Sequence, residues 1–166
     1  MKLFLGLDPG ATGGIAVLDD AGNVRLAEPM PVAGEGVDGG QLARLVMSMR
    51  DLDSQADYAL AAVEHVNAMP GQGVCSMFSF GCSWGLPRGV LAALGVPVVL
   101  VRPQAWKKLV LAGLTHDKIG AVAYCASRWP ATSLVMPRCR KPHDGIADAL
   151  CMAEWARQRS TAANAD

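Results

Sequence analysis

The stretch KLFLGLDPGATGGIAVLD, residues 2–19, decides how this chain folds. Residues 2–7 are apolar on both faces of a predicted strand, with no polar-apolar alternation, which places that strand in the middle of a sheet. Asp8-Pro9-Gly10 stops it, because proline cannot donate to a ladder and glycine turns freely. A second strand over 14–19, a turn at Ala21-Gly22-Asn23 and a third strand over 23–28 make an antiparallel meander. An all-parallel nucleotide-binding sheet is thereby excluded.

Working outward, a glycine-rich loop over 34–40 precedes a predicted helix over 41–50, with Leu42, Leu45, Val46 and Met49 on one face. Tyr58–Val63 reads as a fourth strand ending at Glu64, and residues 95–101 as a fifth. Between them, 67–94 carries Met-Pro-Gly-Gln-Gly near its start, expected to be mobile, and continues into a helix. Pro103 opens a helix carrying Trp106, Lys107 and Lys108. Another helix spans 117–128 and stops at Trp129-Pro130. After a basic loop over 136–142, the last helix starts near His143, and 161–166 reads as a flexible tail. The expectation is one α/β domain over 1–160: a five-stranded mixed sheet, three antiparallel strands then two further strands, flanked by helices.

Composition agrees with a packed enzyme-sized domain. The chain has 166 residues, 51% of them hydrophobic and 18% charged, enough to build a core without disulfide or structural metal. No uncharged apolar run reaches 18 residues, so no membrane span is expected. Five cysteines without a C-x-x-C pair read as reduced thiols in a cytoplasm. Net charge is zero but unevenly spread: residues 1–66 carry four basic and ten acidic side chains, residues 67–141 nine basic and one acidic. Such a central excess can present a phosphate-facing surface on a neutral chain, or simply solvate helices.

The acids fall where a core would least want them. Asp8 and Glu64 end two apolar strands, and Asp144 and Asp148 stand four apart on one face of a helix whose flank, Ile146, Ala147, Ala149 and Leu150, packs inward. Each has an ordinary structural reading on its own: a turn residue, a charged strand end, a helix N-cap. Clustered beside a core, they are costly unless a cation neutralises them. Hard oxygen donors favour Mg²⁺, with Mn²⁺ able to substitute, and the implied chemistry is phosphoryl transfer of the two-metal nuclease kind. The DPGATGG turn matches neither nucleotide fingerprint. Its Asp-x-Gly-x-Thr resembles actin-like and sugar-kinase ATPases, but those need two such domains, and 166 residues hold one.

The segments LGLDPGATGGIAV, AAVEHV, RPQAWKK and KPHDGIADAL, in this order and spacing, resemble the RuvC-type Holliday junction resolvases, particularly their phage-borne members. The likeness spans nearly the whole chain, and the last two segments are its most specific parts. It implies an RNase H-like fold, a homodimer, and Mg²⁺-dependent paired nicking of four-way DNA that leaves 5′-phosphate and 3′-hydroxyl ends. By position, Asp8, Glu64 and Asp148 match the family's first, second and last acidic ligands. Cellular members often place a third ligand three residues before the last, where this chain has Gly145; Asp144 is the natural substitute and His143 the alternative. Cellular members also tend to carry a junction-wedging aromatic soon after the second acid. Here Asn67 and then Met69 follow, leaving Phe78 or Phe80 for that role, or no wedge.

Five basic residues are candidates for DNA contact: Lys107 and Lys108 on one helix, and Arg138, Arg140 and Lys141 in the loop before the acidic helix. Trp106 reads as a core residue, and Cys75, Met77, Phe78, Phe80 and Cys82 as packing or dimer contacts. Two rival readings share this pattern: a related nuclease acting on RNA or RNA–DNA hybrid, and a catalytically silent branched-DNA-binding module.

Overall fold

The computed structural model describes residues 1–34, 36–52, 55–67, 71 and 73–163. In chain order its elements are β1 (Lys2–Asp8), β2 (Gly14–Asp19), β3 (Val24–Pro29), the short hairpin strands β4 (Val32–Ala33) and β5 (Gly36–Val37), and α1 (Gly39–Arg50). They continue with β6 (Asp57–Glu64), α2 (Val74–Ala93), β7 (Val98–Val101), α3 (Pro103–Val110), α4 (Lys118–Arg128) and α5 (Asp144–Ala163). The main sheet has the order β3-β2-β1-β6-β7. Its first three strands pair antiparallel, while β6 joins β1, and β7 joins β6, in parallel.

The apolar sequence of β1 is explained by a core on each face of the sheet. Leu3, Leu5 and Leu7 point to one side, where Leu42 and Val46 of α1 and Leu91 of α2 cover them. Phe4 and its β2 neighbours Ala16 and Leu18 point to the other, against Trp106, Cys125, Ile146, Leu150 and Met152 from α3, α4 and α5. Burying such side chains contributes roughly 1.5–3 kcal/mol each. The period-two alternation is intact; it is invisible in the sequence because both faces are dry.

α5 lies across β1, β2 and β6 at a separation only glycine permits. A Cβ on Gly6 would overlap the backbone of Ala149 and Ala153, and one on Gly14 the backbone of Gly145. The helix therefore sits directly on the sheet, and its first turns arrive beside the end of β1.

Some boundaries differ from the sequence reading. The expected loop over 34–40 contains β5 and the start of α1, whose N-cap Asp38 accepts the Gln41 N–H. The fifth strand starts at Val98 because Gly95, at φ +67°, is still closing the turn after α2. α5 continues through Ala163, so part of the expected tail is helical, and its last residues, 164–166, lie outside the described residues. Met69 also lies outside them.

α2 is the least covered helix. It buries only Pro87 and Leu91, while Cys75 and Cys82 are exposed and Phe78 is 74% exposed. Packing within the chain thus does not account for the apolar residues at its start.

Candidate active site

Parallel pairing of β1 and β6, with Leu7 opposite Val63, ends both strands at the same edge of the sheet. Asp8 and Glu64 are the last residues of those strands. Asp144 opens α5 and Asp148 follows one turn later, so the helix lowers both toward the same edge. Asp8, Thr12, Lys118, His143, Asp144 and Asp148 line a single cleft of about 340 Å³. Glu64 stands on its β6 side.

Burial and mutual repulsion raise the carboxylates of this cluster. Burial first, then the charges of Glu64 and Asp148, push Asp8 up to about 7, with Lys118 opposing. Asp148 is pushed up to about 6 by burial; Glu64 and Asp144 add to the rise, and Lys107 and Lys118 oppose it. Burial also raises Glu64, against a hydrogen bond from Trp106 and the charge of Lys107. A bound divalent cation would reverse each of these shifts by favouring the ionised forms.

Two tryptophans and one histidine fix the acids in place. Trp106, fully buried, donates its Nε1–H to Glu64 Oε1 at 3.4 Å, and Trp84 of α2 donates to the Glu64 main-chain oxygen at 3.1 Å. Trp106 is therefore the core residue expected, and also a direct neighbour of the second acid, which no local signal in the sequence revealed. His143 Nδ1 accepts the Ile146 N–H at 3.3 Å, capping α5 and committing that ring nitrogen to the helix. Asp144 is thus released from capping duty, and its carboxylate accepts from Lys118 Nζ at 2.7 Å. Gly145 cannot be replaced in kind by a ligand: a Cβ there would overlap the backbone of Thr12 and Gly13.

Lys118 is the residue that sequence reasoning missed. It opens α4, after the N-cap Asp117, and only the packing of α4 on α5 brings it to the cleft. Of the basic candidates, Lys107 is close enough to act on Glu64 and Asp148, and Lys141 flanks the Lys118–Asp144 pair. Lys108 faces a separate hollow beyond Glu64, while Arg138 and Arg140 are exposed on the loop before α5.

As the side chains stand, no three His, Cys, Asp or Glu among the described residues close around one point. The donor set nevertheless fits a hard divalent cation: all oxygen, without thiolate, and mutually repelling. The ammonium of Lys118 pairs with Asp144.

No protein-family model matches the chain, and no curated protein matches it in sequence. Solved structures do. The structure of Thermus thermophilus RuvC in complex with Holliday junction substrate superposes with a TM-score of 0.65, at 18% identity, over 99% of this chain and 96% of that one. A second Thermus thermophilus RuvC structure gives 0.61 at 19% identity, over 98% and 96%. The fold is that of RuvC. The superpositions cover nearly the whole of both chains. They confirm the RNase H-like α/β architecture expected from the sequence, with three antiparallel strands followed by two parallel ones. Among the described residues no helix is long and apolar enough to cross a membrane.

Proposed function

We propose that this chain is a divalent-metal-dependent endonuclease that resolves four-way DNA junctions by paired nicking, acting as a homodimer. The observation that carries the reading is the convergence of Asp8, Glu64 and Asp148, from three separate segments, on one edge of a RuvC-fold sheet. Core-building gives no reason to gather buried like charges there, and hydrolysis of a phosphodiester does. That one neighbour is a complex with a Holliday junction substrate points to branched DNA over other nucleic acids.

Asp8, Glu64 and Asp148, with Asp144 as fourth, are the residues that would hold Mg²⁺ or Mn²⁺. The metal would supply Lewis-acid stabilisation of the phosphorane charge and a water acidic enough to attack at neutral pH. The rest falls to the chain. Lys107 and Lys118 draw the scissile phosphate toward the cleft. Trp106 orients the Glu64 carboxylate, and the Trp84 contact ties α2 to the strand end that carries it. Lys118, paired with Asp144 at 2.7 Å, is the cation placed to meet a DNA phosphate at the mouth of the cleft. The exposed apolar start of α2, with Val74 and Phe78, supports the homodimer, and two copies supply the two cuts that resolution requires.

Incubating the chain with Mg²⁺ and a synthetic four-way junction, beside linear duplex, RNA–DNA hybrid and structured RNA, tests the reading. The junction is cleaved at least about tenfold faster than the others. Preference for hybrid or RNA moves the chain to the related nucleases, and binding without cleavage makes it a DNA-binding module.

A further inference from the structure

From Val74 to Ala93 the sequence of α2 carries a single charge, Arg88. Helical spacing divides it into two faces. Met77, Phe80, Trp84, Pro87 and Leu91 turn inward and are partly or fully buried, while Val74, Phe78, Cys82, Gly85 and Gly89 turn outward and are all exposed. Space is open where a Cβ would stand on Gly81, Gly85 and Gly89, so a second helix can approach the outer face closely. An uncharged face of this kind suits a second copy of the same chain, because a two-fold axis sets like residues near one another and no like charges meet.

The two ends of α2 are held differently. Leu91, fully buried, anchors the C-terminal part in the core. Pro87 lies inside the helix and has no N–H for the carbonyl one turn earlier, so the part before it can tilt. In that part Trp84 reaches the strand end: its Nε1–H donates to the Glu64 main-chain oxygen at 3.1 Å, and its ring carries the Arg88 guanidinium 4.0 Å from the centroid. Glu64 is therefore held twice, its main chain by α2 and its carboxylate by Trp106 of α3. We infer that docking of a second copy on the outer face of α2 sets Glu64 through Trp84, so that subunit contact and metal binding strengthen one another; this rests on the homodimeric, metal-dependent reading above.

Trp84 is a positioning residue in this scheme, acting through the peptide that carries the second acid. In a lone copy the start of α2 has little to hold it, since Val74, Cys75 and Phe78 all lie in solvent. Tilting about Pro87 opens the Trp84 bond and frees the Glu64 peptide at the point where the β6–β7 ladder ends. A partner seated over Phe78 and Cys82 removes that freedom and raises the fraction of chains with Glu64 in place. Linkage makes the effect reciprocal: by whatever factor the dimer tightens metal binding, the metal tightens the dimer.

Sedimentation of the DNA-free chain over a range of concentrations, in Mg²⁺ and in metal-free buffer of equal ionic strength, measures the coupling. The wild-type dimer is at least about fivefold tighter in Mg²⁺, the lower end of the range for linked sites. Trp84→Phe keeps a ring for Arg88 and loses the N–H; it still dimerises, but the effect of Mg²⁺ falls to within about twofold. Asp8→Asn loses the effect as well, because Mg²⁺ acts through the acids. Were Trp84 only a support for the fold, Trp84→Phe would weaken the dimer alike with and without Mg²⁺; that uniform loss overturns the inference, as does a full Mg²⁺ effect persisting in the variant. Phe78→Glu supplies the reciprocal measurement without touching Trp84. A charge on the outer face gives a monomer that binds Mg²⁺ at least about fivefold more weakly than the wild-type dimer in a calorimetric titration, and an unchanged affinity overturns the inference. A wild-type dimer that binds Mg²⁺ yet is no tighter for it overturns the inference alone. A chain that binds no Mg²⁺ defeats the metal reading together with it, and a chain that stays monomeric defeats the homodimer reading together with it.

Discussion

At the scale of single residues, Asp8 is asked to do two things that conflict. Its position at the end of a buried strand suits a metal ligand, yet in the metal-free chain burial and two neighbouring carboxylates hold its pKa at about 7, against an ordinary 3.8. A carboxyl whose pKa is raised on folding destabilises the fold wherever the unfolded chain is ionised and the folded one must follow. That penalty is absent below about pH 4, grows as pH rises, and is complete above about 7. Asp8→Asn removes the penalty together with the ligand. The variant therefore loses Mg²⁺-dependent cleavage but, without metal at pH 8, is more stable than the wild type by on the order of 2 kcal/mol, several degrees in Tm. At pH 4 the two melt together, and thermal denaturation at both pH values checks this. The choice of third acid is tested at the same scale. Asp144→Asn loses cleavage as the other acid variants do, whereas His143→Ala, which removes a cap, lowers Tm and leaves most of the activity. The opposite pattern assigns the ligand to His143.

At the scale of elements, what was legible in the sequence followed from period and punctuation. β1, β2 and β3 announced themselves by apolar runs broken at Pro9 and at Ala21-Gly22-Asn23, and α3 and α4 by Pro103 and Asp117 at their starts. Asp8, Glu64, Asp144 and Asp148 were legible as candidates because a charge at the end of an apolar run has few structural uses. Lys118 and the Trp106 and Trp84 contacts were not, because they depend on how α2, α3 and α4 dock, and docking leaves no local pattern. The small hairpin β4–β5 was hidden by glycines that read as loop. One expectation at this scale awaits measurement. The loop before α5 puts Arg140 and Lys141 within a turn of Asp144, on the approach to the cleft. Replacing both by alanine weakens binding to junctions of unrelated sequence by similar factors and lowers the slope of log affinity against log salt by about 0.9 per lost phosphate contact. Cleavage at saturating DNA changes less than affinity. Titration at several salt concentrations reads the slope, and an unchanged slope assigns the loop to solvent.

At the scale of the whole molecule, the acidic first half carries Asp8 and Glu64, the last helix carries Asp144 and Asp148, and the proposed function assigns the basic middle to DNA. The sheet edge is where they meet: β1 and β6 end there, α5 is pressed onto it through Gly6, Gly14 and Gly145, and α3 and α4 each place one lysine over it. One copy holds one cleft, so the account requires two copies to cut two strands of a junction. The most direct test uses a four-way junction labelled on each strand in turn, incubated with Mg²⁺ and either the wild-type chain or Asp8→Asn, followed by treatment of the products with DNA ligase. The wild type gives two symmetrically placed nicks on opposing strands, both resealed by ligase because they carry 5′-phosphate and 3′-hydroxyl ends, and the variant gives none. Cleavage that is confined to one strand, independent of Mg²⁺ or undiminished in Asp8→Asn would contradict the account.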